Sequence, residues 1–369
     1  MMGFGSTEPW FEMDLPGPII VDAAYLVGFY AVILACDYFL LRYEAKVPLS
    51  RVQLRVVLAI VHSLLPMAVV SPWAPYNLFF AAMPWFYVSY TAILPVDRLS
   101  CREWLYSFYA VLLDIPDDER RRIAFAHNAQ LGSGTDDPMA ARKAGLVKLI
   151  RGAFKFWFMK HVIDRILPED YTVLLRLPWF SAGSLMLTVV LGIKAYLMLG
   201  VVDLGLGLEQ CVLGVPLIDL QDSPILSASP RDFWSRRWNK IVRNLLHQLI
   251  FMRAAHPDPK HGQKTTSPWK RNLRGLLVFF VSGVFHEMII MSICRKMTLE
   301  NLIFFTLHGV AVLFELTLRD RFHCKGYPRG MMRVLSVALH LLFLAATGRL
   351  FLAPFVRYDF MGIRESTFF

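Results

Sequence analysis

Runs of about twenty mostly apolar residues, enough helix at 1.5 Å per residue to cross a hydrocarbon core of about 30 Å, recur along this 369-residue chain. No other feature limits its possible folds so strongly. About eight such runs can be drawn, at 19–41, 54–70, 78–94, two within 171–220 divided near Val202 and Asp203, 276–294, 302–318 and 334–355. They predict an all-α, polytopic membrane helical bundle. With no internal repeat or low-complexity segment, residues 1–369 are expected to form a single integral-membrane domain.

Composition agrees. Hydrophobic residues make up 56% of the chain and charged residues 18%, against about 45–50% and about 25% in soluble domains. The net charge of +10 does not point to nucleic acid, because basic residues beside spanning helices follow the positive-inside rule or meet anionic lipids and substrates. Cys36, Cys101, Cys211, Cys294 and Cys324 are scattered, with no CxxC and no zinc-site spacing. Neither a disulfide nor a metal is expected. The opening MMGFGSTEPWFEMD is acidic and aromatic, unlike a cleaved leader, so the first span is expected to serve as the signal.

Orientation follows from the loops. Arg42, Lys46 and Arg51 fall between the first two runs, the 72–77 turn has no cation, and residues 231–275 hold eleven Lys or Arg against Asp232 and Asp258. A luminal N-terminus places these basic stretches on the cytosolic side, with extended cytosolic loops at about 96–145 and 221–275. The polar loop HPDPKHGQK at 256–264 is expected to be an exposed connection.

Two further segments have a helical pattern. Residues 146–167 mix cations with bulky apolar residues, which suits an interfacial helix. In SPRDFWSRRWNKIVRN (229–244), Trp234, Trp238, Ile241, Leu245 and Leu249 form one stripe. Arg236, Lys240, Arg243 and His247 form a second. Such a helix can lie along the membrane with its tryptophans at headgroup level, and its cationic edge, with Arg237, can either anchor it or hold a phosphorylated ligand.

VSGVFHEMII (281–290) is more specific. His286 falls near the middle of its run, about 12–15 Å from either surface, with Glu287 beside it. Ionisable residues at that depth cost about 2.5–3.5 kcal/mol when charged and are functional candidates by default, although a His bonded to a neighbouring helix is the simpler alternative. Adjacent helical residues point about 100° apart, so Glu287 is expected to pair with another helix. His308 and Glu315 can line a tunnel or satisfy buried polar neighbours. Asp22, Asp37 and His62 on the first two spans would fit a proton-coupled transporter. No GxSxG, P-loop or dinucleotide glycine pattern is present.

DFWSRRWN (232–239) followed by VSGVFHE (281–287), with FFTLHGVAVLFE (304–315) beyond them, resembles the wax-synthase-like branch of the membrane-bound O-acyltransferase superfamily. The region of resemblance is about 204–318. It implies a helical bundle with a reaction tunnel crossing the membrane, acyl-CoA as co-substrate, a lipophilic alcohol as acceptor, no bound cofactor and no metal. On this resemblance His286 matches the general base and Asn239 the polar residue lining the same chamber, a position where many relatives have His. A neutral imidazole suits the role, since it can accept the hydroxyl proton as the alcohol attacks the thioester. The Asn239 amide can donate to the thioester oxygen or orient the imidazole. Arg236, Arg237, Lys240 and Arg243, with Trp234 and Trp238, are expected at the CoA phosphates.

Two acceptor classes are compatible with the branch. The extended loop at 96–145 inclines the reading to acetylation of a terpenoid-like metabolite, with wax ester synthesis from long-chain alcohol and fatty acyl-CoA as the alternative and a proton-coupled transporter as the alternative of another class. The endoplasmic reticulum membrane is the expected location.

Overall fold

The computed structural model describes residues 7–91, 94–115, 137–246, 268–322 and 326–360. Its principal helices are α1 (Ala23–Arg42), α2 (Arg51–Ala68), α3 (Ala74–Thr91), α4 (Cys101–Tyr109), α5 (Pro138–Phe158), α6 (Ala182–Met198), α7 (Gly200–Leu213), α8 (Lys240–Leu246), α9 (Pro268–Cys294), α10 (Glu300–Arg321) and α11 (Gly330–Arg357). The strands are two-residue ladders: β1 (Met13–Asp14) pairs antiparallel with β4 (Lys296–Met297), and β2 (Ile19–Ile20) pairs parallel with β3 (Val69–Val70). The architecture is all-α and polytopic, and the chain is an integral membrane protein.

Among the described residues six segments are long and apolar enough to cross a membrane: α1, α2, α6 with α7 taken together, α9 from Asn272, α10 and α11. This is fewer than the eight runs drawn from the sequence. The run at 78–94 falls on α3, which is not among the six, and the long run at 171–220 gives one 32-residue apolar segment, Ala182–Leu213. That segment changes helix at Leu199, a few residues before the expected division. Its outward residues are mostly apolar: Met186, Val201, Leu208 and Val212 are exposed, as are Tyr25, Val27 and Val32 on α1. Patches of this extent belong against lipid rather than water.

The segment expected as an interfacial helix over 146–167 differs from that reading. α5 continues through a π-helical turn at Met159–Ile163 and ends at Ile166. Three of its cations are turned inward against α7, while Lys160 and Arg165 are exposed. Lys155 Nζ donates to Asp203 Oδ2 at 2.7 Å, Arg151 Nη2 to Asp203 Oδ1 at 2.8 Å and Lys148 Nζ to Gln210 Oε1 at 2.7 Å. Leu146, Val147, Ile150, Phe154 and Trp157 are among its exposed residues. The two helices approach through glycines seven residues apart on each, Gly145 with Gly207 and Gly152 with Gly200. A Cβ at Gly145 would lie 2.9 Å from the Gly207 carbonyl oxygen, and one at Gly152 2.9 Å from that of Gly200. Small residues are what permit such backbone approach in lipid.

At one end of the bundle Arg42 Nη1 donates to Leu99 O at 3.2 Å and Arg55 Nη2 to Leu94 O at 2.9 Å, gathering α1, α2 and the 94–99 segment. At the other end the ladders gather the N-terminal segment, the end of α2 and the α9–α10 connection, reinforced by Arg357 pairing with both oxygens of Glu300 at 2.7 and 3.0 Å. Of the residues noted for transport, Asp22 is exposed and caps α1, its Oδ1 accepting from Ala24 N–H at 2.9 Å. Asp37 and His62 form a buried pair between α1 and α2 at 2.6 Å. The 256–264 loop, residues 116–136 of the first extended loop, His247, Leu249 and Cys324 lie outside the described residues.

Candidate functional site

α9, α10 and α11 place the candidate residues. α9 and α10 touch at glycines: a Cβ at Gly283 would lie 3.0 Å from Leu302 Cα, and one at Gly309 2.8 Å from Phe279 Cβ. One turn beyond Gly283, His286 is half-buried against aromatic rings, with Phe305 4.2 Å, Phe285 5.3 Å and Phe351 5.7 Å away between centroids. Its Nδ1 lies 2.8 Å from Ser282 O, one turn back on its own helix. A carbonyl oxygen only accepts, so Nδ1 carries the hydrogen and Nε2 keeps its lone pair. Among the described residues Nε2 makes no hydrogen bond, and it is not among the sealed, unpartnered atoms of the interior. This is the tautomer a base requires, fixed by backbone.

Glu287 is buried at 4% exposure. Its carboxylate accepts from Asn301 N–H at 2.8 Å, Leu302 N–H at 3.3 Å and Thr298 N–H at 3.4 Å, so it caps the start of α10. The expected pairing with another helix is thus made to that helix's backbone, where N–H groups lack intrahelical partners and the dipole favours an anion.

His308 is fully buried and both ring nitrogens are bonded. Trp234 Nε1–H donates to His308 Nδ1 at 2.9 Å, His308 Nε2–H donates to Thr347 Oγ1 at 3.0 Å, and Thr347 donates to Phe343 O at 2.8 Å. The relay joins the 230s segment, α10 and α11. Trp234 therefore packs among the rings of Phe279, Phe304 and Phe305. Glu315 likewise holds this segment, accepting from Ser229 Oγ at 2.8 Å, Arg231 N–H at 2.9 Å and Arg319 Nη1 at 3.1 Å. Both residues fasten neighbouring elements, the second of the two roles considered for them.

The 229–244 segment is not the uniform helix its stripes predict. A turn at Pro230–Asp232 runs into a π-helical turn at Phe233–Arg237, and Trp238 and Asn239 separate this from α8. Asn239 caps α8, its Oδ1 accepting from Val242 N–H at 2.9 Å. Among the described residues no hydrogen bond joins Asn239 to His286, so the imidazole is oriented by Ser282 instead. Trp238 stacks on Phe233 at 5.1 Å. Arg237 bonds Asp232 at 2.9 Å and the carbonyls of Asp222 and Ser223. Arg236 is exposed, its guanidinium 4.6 Å over the Tyr327 ring. Arg243 donates to Asn244 Oδ1 at 2.7 Å, and Lys240 is half-buried at the start of α8. Of this group, Arg236 offers its charge most openly.

Two residues escaped the sequence reading. His340 and Arg349 lie within the last apolar run and are buried at 3% exposure each. The depth argument that singled out His286 applies to both. Arg349 is accounted for locally: Nη1 donates to Leu177 O at 2.8 Å and Nη2 to Leu175 O at 2.5 Å, with its guanidinium 4.8 Å from the Trp179 ring.

The site is thus a half-buried histidine with a fixed tautomer in an aromatic surround, which shares Phe305 with Trp234 of the 230s segment. Residues 217–307, which contain Trp234, Asn239, His286 and Glu287, match the family described as Membrane bound O-acyl transferase family. The similarity extends to the wax-synthase-like branch, as the motifs led us to expect. The chain is 34% identical over 171 residues to a probable long-chain-alcohol O-fatty-acyltransferase 9 of Arabidopsis thaliana, covering 44% of this chain and 48% of that protein. It is 33% identical over 149 residues to a probable long-chain-alcohol O-fatty-acyltransferase 1 of the same plant, covering 40% and 41%. With the long-chain-alcohol O-fatty-acyltransferase of Simmondsia chinensis it is 31% identical over 158 residues, covering 41% and 42%. The chain spans about half the length of the curated relatives it matches.

Proposed function

We propose that this protein transfers a fatty acyl group from acyl-CoA to the hydroxyl of a long-chain alcohol. The observation that carries the reading is the state of His286: Nδ1–H is held by Ser282 O and Nε2 is left unpartnered among aromatic rings. Nε2 accepts the hydroxyl proton as the alcohol oxygen forms its bond to the thioester carbonyl carbon. The carbon–sulfur bond then breaks, the electron pair leaves with sulfur, and the imidazolium returns the proton to give free CoA thiol and an ester. Asn239 presents its amide Nδ2 while Oδ1 is occupied by the α8 cap, and this group donates to the carbonyl oxygen as it gains charge. Arg236, with Lys240 and Arg243 behind it, meets the CoA phosphates at the cytosolic face, and the two chains enter from the lipid through a tunnel.

The names of these relatives, which all specify long-chain alcohols and fatty acyl groups, support this choice of acceptor. The inclination toward terpenoid acetylation finds no support among them and is replaced by the wax ester alternative. An endoplasmic reticulum location fits an enzyme whose substrates are a cytosolic thioester and a membrane-dissolved alcohol.

The test compares purified wild type with His286→Ala in detergent, using acetyl-, lauroyl- and palmitoyl-CoA with hexadecanol or a hydroxylated terpenoid. Alcohol-dependent CoA release by wild type, preferring the long donors with hexadecanol and lost in His286→Ala, is expected. Equal release by the two proteins would refute the role of His286.

A further inference from the structure

His286 sits nearer one end of the bundle than the other. It lies eight residues before the end of α9 at Cys294, about 12 Å at 1.5 Å per residue, and eighteen after the start at Pro268, about 27 Å. The rings against it tell the same depth. Phe305 is five residues from the start of α10 and Phe351 six from the end of α11, about 8 and 9 Å from that same end. Water therefore has its shortest approach to the base from this side. A thioester at His286 has two acceptors to choose between, because water can give its proton to Nε2 as an alcohol does. The water oxygen then bonds the carbonyl carbon, the carbon–sulfur bond breaks with its pair going to sulfur, and the imidazolium returns the proton, giving CoA thiol and free fatty acid. Transfer to alcohol requires that water be kept out.

This end is crossed by the segment 7–16 that precedes α1. Trp10 stacks on Trp179 with ring centroids 6.4 Å apart. Glu12 accepts from Lys296 Nζ at 2.7 Å and from the Tyr358 hydroxyl at 2.8 Å, and Asp14 pairs with the same lysine. β1 pairs with β4 between these side chains, and Leu15 N–H continues the ladder to Arg295 O at 3.0 Å. The segment thus joins the α9–α10 connection to the end of α11. What it holds reaches inward: just past β4, the N–H groups of Thr298 and Asn301 are bonded by Glu287, the neighbour of His286, and Trp179 donates to Ala346 O on α11 at 2.8 Å. Trp10, Phe11 and Met13 are themselves exposed. Edge hydrogen bonds and ion pairs rather than burial keep the segment in place, and elements held so open at low cost.

We propose that the segment 7–16 selects the acceptor: closed over the end of the bundle nearest His286, it keeps water from the thioester while the alcohol enters from the lipid. This rests on the acyl-transfer reading above. It gives Trp10, Glu12 and Lys296 a part in specificity although none of them touches the reacting atoms.

The test incubates protein with hexadecanol and palmitoyl-CoA labelled in the acyl chain and measures labelled ester and labelled palmitate separately. Lys296→Met removes two partly exposed ion pairs, which raises the open fraction, and with it the palmitate-to-ester ratio, about fivefold, with ester formation lowered less than twofold. Trp10→Ala raises the ratio in the same direction. Asp14 and Lys296 face each other in the β1–β4 register, at the separation a disulfide needs. Asp14→Cys/Lys296→Cys should therefore show the raised ratio when reduced and a ratio at or below that of wild type when oxidised. A ratio unchanged in Lys296→Met and Trp10→Ala overturns the assignment, as does a parallel fall of ester and palmitate, the mark of lost stability alone. If Lys296→Met does not fold, the cysteine pair decides, and equal ratios in its oxidised and reduced forms refute the proposal. Wild type that yields no ester from any alcohol sinks the acyl-transfer reading itself, and the assignment with it.

Discussion

Replacing Glu287 separates a cap from a catalyst. Its carboxylate, 4% exposed, accepts one short backbone hydrogen bond from Asn301 at 2.8 Å and two longer ones from Leu302 and Thr298 at 3.3 and 3.4 Å. Glu287→Ala leaves these N–H groups buried without an acceptor. At about 1–3 kcal/mol for each fully lost bond, weighted toward the short one, the cost is about 3–4 kcal/mol. With an unfolding entropy of about 2 cal/mol/K per residue, that lowers the melting temperature by about 5 °C in a cooperative unit of this size. Glu287→Gln keeps an acceptor oxygen but loses the charge opposite the helix dipole, so about 1 kcal/mol and a shift of one to two degrees follow. The assay is thermal unfolding in detergent by tryptophan fluorescence, run beside acyl transfer on the same preparations. Transfer by Glu287→Gln should remain close to wild type below its melting range. If either variant melts with wild type yet loses transfer as completely as His286→Ala, the capping argument is wrong and Glu287 takes part in the chemistry.

Two further outcomes follow from the geometry. Trp234→Phe keeps an aromatic ring among Phe279, Phe304 and Phe305 but strands His308 Nδ1. It should cost about 1–3 kcal/mol in stability, seen as a lower melting temperature, and a double variant with His308→Phe should recover part of it. At the N-terminal ladder, Glu12 bonds Lys296 at 2.7 Å and Tyr358 at 2.8 Å, and the Lys296 hydrogen bond, followed by that of Tyr358, holds its carboxyl below the ordinary value of 4.5. A depressed carboxyl stabilises the fold above its unfolded value and loses that contribution as pH falls through the folded one. The protection factors of the β1 and β4 amides, exchange rates divided into the intrinsic rate at each pH, should therefore fall on acidification below 4.5, and Lys296→Met should lower them at neutral pH and flatten the dependence.

The sequence displayed the spanning helices because apolar runs of the right length leave few alternatives. It concealed how they pair. A stripe of cations such as Lys148, Arg151 and Lys155 looks the same whether it faces water or buried carboxylates, and its partner Asp203 lies within an apolar run on another helix. The 230s segment misled for a related reason: tryptophans and arginines at helical spacing imply an even helix. The π turn at Phe233–Arg237 carries Trp234 to His308 and shifts the residues after it, leaving Asn239 to cap α8. His286 was legible from depth alone, as was its neighbour's need for a partner elsewhere. What made His286 a plausible base, the Ser282 carbonyl one turn back, is present behind every helical histidine and so carries no signal. His340 satisfied the same depth criterion and went unnoticed because no motif surrounds it.

The two short ladders also impose an order of assembly. β2 closes on β3 as soon as α2 exists, and the Asp37–His62 pair can lock the same hairpin early in synthesis. β1 has no partner until Lys296 and Met297 have left the ribosome, so the segment before α1 must wait beside the membrane while the intervening helices are inserted. Closing so distant a contact is slow relative to local pairing. Docking of β1 is then a late event that marks completed insertion of α9, and a nascent chain halted before that helix would display its N-terminal segment to whatever quality control samples that side of the bilayer.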